Sequence, residues 1–267
     1  MEPNEVCFIE FIPSRLIAGQ SIANDGSAKV IAHRGGTMKR PENTLSAYKN
    51  AVESGADMVE IDVRISSDGK LFILHDASVD RTTNGEGLAA DLTMKELKAL
   101  DAGSWFDPRY SGERIPSFQD VLVWAKAEGV VLLLDLKQLE ETYSRRVAAE
   151  VNQYGAAENV VVGVRSADQA KLFRKLLPAS RQLGFIPSPD DIEAYAAAEV
   201  DVIRLWLRWL ENEPSLADRV RATGTQLMVN GTVGGLEEAN VLMGFSPDWI
   251  LIDDPAQLVE SLNKVIK

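Results

Sequence analysis

The chain has 267 residues, a formal net charge of -12, 45% hydrophobic and 25% charged residues, and a single cysteine. This is the composition of an ordinary globular protein with enough apolar residues for a sizeable core. The acidic balance excludes nucleic acid as a general partner, Cys7 alone excludes an intrachain disulfide, and no apolar run is long enough for stable membrane insertion.

Residues 1–29 read as an N-terminal extension, apolar from Val6 to Ile12 around Glu10 and stopped by Pro13. The plain expectation is a segment packed over one end of the domain. The extension lacks the basic start, continuous apolar core and small-residue cleavage site of a signal peptide. Together with the lone cysteine this points to a cytoplasmic location; a periplasmic or secreted one requires a leader removed before this numbering.

From residue 30 onward, helix-period and strand-period patterns alternate. Val30-Ile31-Ala32 is a short strand ending at His33, LSAYKNAVE has helical spacing up to the stop at Gly55, and Met58–Val63 is a second strand. Leu71–Leu74 is a further short strand ending at His75, after a Ser67-Asp68-Gly69 turn. About residues 76–116 break the rhythm and read as an insertion after the second strand, with the helix-like LTMKELKAL inside it. Regular units then return, with strands beginning near 130, 160, 182, 202, 225 and 249, separated by helix-like segments such as 142–154, 166–177, 189–199 and 213–223. Setting Leu71–Leu74 aside, eight strand–helix units in about 240 residues predict one (β/α)8 TIM barrel over 30–267. The rival, a doubly wound open sheet, usually carries a glycine-rich phosphate turn after its first strand, where this chain has His33-Arg34.

A barrel gathers its chemistry at the carboxyl ends of its strands. His33 and Arg34 follow strand one, Glu60 and Asp62 lie late in strand two, Asp135 and Lys137 end strand three, and His75 ends the excursion strand. Side chains alternate faces along a strand. Glu60 and Asp62 therefore share one face, opposite Val59, Ile61 and Val63, and Asp135 and Lys137 share one opposite Leu134 and Leu136. Taken alone, an E-x-D in a strand is more often an exposed edge or an ion pair, and a lone histidine is more often structural. The apolar flanks and the concentration of both histidines in one segment reverse that balance. Three converging carboxylates at low dielectric repel one another, and one hard divalent cation, Mg²⁺ or Ca²⁺, removes the cost. Two histidines beside them suit general acid–base catalysis, and Arg34 and Lys137 suit an anionic group.

These motifs resemble the glycerophosphodiester phosphodiesterase family. HRG, PENT, GADMVEIDV, SSDGKLFILHD, RTTNGEG, LTMKELKALDAGSWF and IPSFQDVL agree with it in order from about 30 to 125; afterwards the likeness thins to LLLDLK and ILIDDP. The resemblance implies a (β/α)8 barrel with a small insertion and metal-dependent hydrolysis of a small-molecule glycerophosphodiester to an alcohol and glycerol 3-phosphate. It implies that His33 and His75 are the acid–base pair, Glu60 and Asp62 metal ligands, and Arg34 and Lys137 phosphate contacts, with Asn43 ordering the first loop. Two positions depart from the pattern. Asp135 stands where the family has the glutamate of an E-x-K and is expected as the third ligand, and Met228 stands where a tryptophan packs on glycerol. Met228 is expected to keep an apolar wall there, with Trp206 or Phe185 as substitute aromatics. Other readings are a barrel acting on lysophospholipid head groups or sugar phosphodiesters, or a barrel that only binds.

Overall fold

The computed structural model of the protein describes residues 28–265; the N-terminal extension, apart from its last two residues, lies outside them. Nine strands form one sheet. Eight of them, β1 (Lys29–Ala32), β2 (Met58–Ile65), β4 (Val131–Leu136), β5 (Val160–Val164), β6 (Arg181–Gly184), β7 (Val202–Trp206), β8 (Gln226–Asn230) and β9 (Trp249–Ile252), pair in parallel. Because β1 pairs with both β2 and β9, the sheet closes into a barrel. These are the eight strands that the apolar runs predicted. The ninth, β3 (Leu71–Ile73), pairs antiparallel to the end of β2 and stands outside the ring.

Helices α1 (Leu45–Glu53), α3 (Phe118–Glu128), α4 (Glu141–Tyr154), α5 (Ala167–Leu176), α6 (Ile192–Ala197), α7 (Leu207–Asn212), α8 (Leu216–Ala222), α9 (Leu236–Gly244) and α10 (Pro255–Val265) lie along the chain between and after the strands. None is long and apolar enough to cross a membrane. Local chemistry sets their starts. Thr44 accepts from the Ala47 N–H at the head of α1, and Ser117 and Asp120 form a reciprocal capping box at the head of α3. The stretch 207–212, in which the sequence predicts no helix, forms α7 directly after β7. The segment 76–116 carries α2 (Met94–Ala99) and a small core of Phe72, Leu74, Val79, Ala89, Leu97, Ala102 and Ile115.

Alternation along each strand sorts the core into two layers. Val59, Ile61 and Val63 of β2 and Leu132, Leu134 and Leu136 of β4 face outward into the main core with the helices. Met58, Leu133, Val161, Leu183, Val202, Met228, Trp249 and Ile31 face the axis and fill the barrel with an apolar plug. Phe185 and Leu251 belong to the same cluster, and Glu60, Asp62 and Asp135 follow it on the axis-facing side toward the strands' carboxyl ends.

Candidate active site

The barrel mouth at these carboxyl ends collects the residues singled out in the sequence. By strand register His33 continues the axis-facing parity of Ile31, Glu60 and Asp62 continue that of Met58, and Asp135 and Lys137 continue that of Leu133. Asp62 lies directly across from Asp135 in the β2–β4 ladder. Glu60, Asp62 and Asp135 each offer a carboxylate oxygen, and these oxygens lie within 4.8 Å of one another. Asp135 thus reaches the cluster although its arm is one methylene shorter than a glutamate.

The acids are held by a dense set of partners. Glu60 Oε2 accepts the Arg34 backbone N–H at 2.8 Å. That N–H is aimed by a left-handed backbone at Arg34, φ 51°, a conformation costly for a non-glycine residue and typical of functional loops. Asp62 Oδ2 accepts from Asn43 Nδ2 at 2.7 Å, and Asn43 Oδ1 accepts from the Tyr48 hydroxyl at 3.1 Å. Asn43 is itself left-handed (φ 58°), so the PENT turn places a donor directly on a site carboxylate. Lys137 Nζ lies 2.6 Å from Asp62 Oδ1 and 2.6 Å from Asp135 Oδ2. Lys137 thus bridges two of the three acids, and its charge is the largest favourable influence on Asp62.

The electrostatics follow from burial. Glu60 is pushed far above the usual carboxylate range, by burial first and then by the charge of Asp62. Asp62 is also buried, but Lys137, His75 and the Asn43 hydrogen bond outweigh that cost and hold it below the usual range. Burial and mutual repulsion thus bear on Glu60, while Asp62 keeps its charge against the same burial. A hard cation would offset that repulsion, and an all-oxygen carboxylate set fits Mg²⁺ or Ca²⁺.

Each histidine is oriented by a carboxylate. His33 Nδ1 donates to Asp253 Oδ1 at 2.6 Å, and His75 Nδ1 to Asp76 Oδ1 at 2.7 Å. An ionised carboxylate can only accept, so Nδ1 carries hydrogen in both rings and Nε2 is the atom left for proton transfer. The two rings differ in basicity. Burial lowers both, but at His33 the Asp253 hydrogen bond and the nearby Glu60 and Asp253 charges outweigh it and raise the pKa. At His75 burial wins and the pKa falls.

The two ends of the site are tied through the insertion. Arg81 donates twice to Glu42 at 2.8 Å and to Asp76 at 2.6 and 3.1 Å, while Arg34 Nη1 donates to Glu42 at 3.0 Å. A chain of charge-assisted bonds therefore runs from His75 through Asp76, Arg81 and Glu42 to Arg34.

A family model described as "Glycerophosphoryl diester phosphodiesterase family" matches residues 33–257. The chain belongs to this family. It is 31% identical over 239 residues to the glycerophosphodiester phosphodiesterase of Caldanaerobacter subterraneus subsp. tengcongensis, covering 88% of this chain and 98% of that relative. Its fold is similar to the crystal structure of an Agrobacterium tumefaciens glycerophosphodiester phosphodiesterase, with a TM-score of 0.75, 27% identity and coverage of 88% and 100% of the two chains. It is also similar to an Oleispira antarctica phosphodiesterase solved in complex with the product sn-glycerol-3-phosphate, with a TM-score of 0.79, 26% identity and coverage of 88% and 96%.

Within this family frame, one expected position is corrected. Met228 is fully buried in the plug beneath the mouth and supplies no wall of the site. The axis-facing residue of β8 at mouth level is Asn230, whose Oδ1 is buried without a partner. Phe185 and Trp206 do lie at the mouth, and the Arg204 guanidinium stacks on both, at 5.3 and 3.9 Å from the ring centroids. The sequence reading missed Asp253, Asp76, Arg165 and Arg204. Asp253 and Arg165 each sit two residues past an axis-facing strand residue, Leu251 and Gly163, so strand parity was the signal that marks them. Arg165 Nη2 donates to Asp135 Oδ1 at 2.5 Å, giving the shortened acid a second basic partner.

Proposed function

We propose that this protein is a phosphodiesterase that hydrolyses glycerophosphodiesters to an alcohol and glycerol 3-phosphate and depends on one divalent cation. The observation that carries this reading is the convergence of three carboxylates between two histidines that are each oriented by their own aspartate. Family membership and the product-bound structural relative support the same substrate class. Glu60, Asp62 and Asp135 would hold the cation, which when bound supplies positive charge for the phosphate oxygens.

The remaining work falls to the chain's own groups. Arg34 and Lys137 bind and orient the phosphodiester, and their charge grows in value as charge builds on its oxygens. His75, which burial keeps neutral to lower pH, accepts at Nε2 a proton from the nucleophile, either water or a substrate hydroxyl whose cyclic phosphodiester product water then opens. His33, which Asp253 helps to keep protonated to higher pH, gives its Nε2 proton to the departing alkoxide. The Asp76–Arg81–Glu42–Arg34 chain keeps the base and the phosphate clamp in one geometry.

The test is single replacement of each histidine. His33→Ala and His75→Ala should each lower turnover of glycerophosphodiesters by about 10²–10⁴-fold with an unchanged circular dichroism spectrum and melting temperature. Near-normal turnover in both variants would end this reading.

A further inference from the structure

Arg204 has no role in the chemistry above, yet it is among the few buried charged groups of the described residues. It follows Val202 on the axis-facing side of β7, one layer above the plug, and is 7% exposed. Its guanidinium makes no hydrogen bond to any described residue, and Nε is fully buried without an acceptor. The carboxylate whose charge it feels, Asp135, already has one oxygen on Lys137 and the other on Arg165. Arg204 is instead surrounded by aromatic faces and like charge. It stacks on Trp206 and Phe185, Arg165 lies 5.2 Å from the Phe185 centroid, and Arg208 lies 5.6 Å from that of Trp206.

Stacking offsets part of the cost of burying this cation, but leaves its donors unused. Three arginines gathered on one side of the mouth also run against the acidic character of the whole chain. A largely buried guanidinium whose Nε has no acceptor, at a substrate opening, suits an anion. This site is separate from the phosphate clamp. In the ring of eight strands β7 stands four strands from β2, so Arg204 faces Glu60 and Asp62 across the mouth. One arm of a phosphodiester seated on Arg34 and Lys137 and extended across the mouth would end on this side.

We infer that Arg204, with Arg208 and Trp206 beside it, forms a second anion subsite that selects diesters whose alcohol arm ends in a phosphate monoester or a carboxylate. This rests on the phosphodiesterase reading for its place in the reaction, while the subsite itself is defined by binding.

The experiment uses three glycerophosphodiesters that share one three-carbon alcohol arm, ending in a hydroxyl, a carboxylate or a phosphate. In the cation-loaded wild-type enzyme kcat/KM for the better anionic arm should exceed that for the hydroxyl arm by about 10–100-fold, the worth of charge-assisted hydrogen bonds to a buried guanidinium. Arg204→Met should bring that ratio close to one, and Arg204→Lys should restore part of it. Which anionic arm gains more identifies the group preferred. An absent preference in wild type, or a ratio unmoved by Arg204→Met, would overturn the subsite and leave Arg204 a structural stack. Calorimetric titration of the same diesters into the His75→Ala enzyme, with and without Arg204→Met, reads the subsite apart from turnover. Arm-dependent binding without any wild-type hydrolysis would sink the hydrolase reading and keep the subsite; equal binding of all three arms would sink the subsite.

Discussion

Asp253→Asn separates the charge of the His33 partner from its shape. Asparagine keeps an oxygen that can accept from Nδ1, so the ring orientation and tautomer survive, but the negative charge is gone. The side chains of the pair are 28% and 31% exposed, so solvent screens the interaction only in part. A hydrogen bond to a charged partner is worth about 1.5–3 kcal/mol and a neutral one about 0.5–1.5. The difference for this pair is about 1–1.5 kcal/mol, or about one pKa unit at 1.36 kcal/mol each. The Asp253 hydrogen bond and charge raise the His33 pKa, so their loss lowers it. If His33 must be protonated to serve the leaving group, the alkaline limb of the kcat/KM profile should move about one unit toward acid. Activity above the limb should fall about tenfold, and activity well below it should be nearly retained. A loss of equal size at every pH, or a limb that does not move, would refute the assignment of His33 as the acid.

Other consequences follow from the same geometry. The wild-type kcat/KM profile should be a bell, with an acid limb below the ordinary histidine value of about 6.5 as His75 becomes protonated and an alkaline limb above it as His33 loses its proton; a pH-rate titration in which the limbs lie in the opposite order would contradict the role assignment. Glu60→Gln mimics the protonated acid, so by scanning calorimetry its cation-free melting temperature should stay within about 2 °C of wild type. Cation at about 100 times Kd should raise the wild-type value by roughly 5–10 °C and leave the variant unmoved. Gly163→Ala should destabilise by about 1–3 kcal/mol in denaturant titration, because a Cβ there would meet Phe185 at 2.3 Å and the Leu134 carbonyl at 2.6 Å.

The barrel was readable because its strands are short apolar runs bounded by turn residues, and because parity within β2 and β4 is set by the acids themselves. Glu60 and Asp62 cannot both face a hydrophobic helix layer, so they mark the axis side, and Asp135 marks it again. The residues that were not readable lie where no such marker exists. Asp253 sits 220 positions from the histidine it orients, in an Asp-Asp-Pro that reads as an ordinary helix lead-in. Arg204 is enclosed in the apolar run VIRLW, where a cation passes for a surface residue unless the strand's register is known to the residue. Met228 and Asn230 share the axis-facing side of β8, so parity alone does not tell plug from mouth; only the depth set by strand pairing puts Met228 in the plug. The third-strand acid was legible in kind but not in reach; its convergence with Glu60 and Asp62 depends on the direct Asp62–Asp135 register of two parallel strands. The helix α7 escaped because LRWLEN follows β7 directly without a turn signal.

The most direct test is ³¹P NMR of purified protein incubated with glycerophosphocholine, glycerophosphoglycerol and a lysophospholipid, first with EDTA and then with Mg²⁺ or Ca²⁺ in excess. Glycerol 3-phosphate should appear from at least one glycerophosphodiester only when a cation is present, and removal of any one of Glu60, Asp62 or Asp135 should abolish it. Undiminished release in EDTA, or no phosphomonoester from any member with either cation, would contradict the assignment of this site.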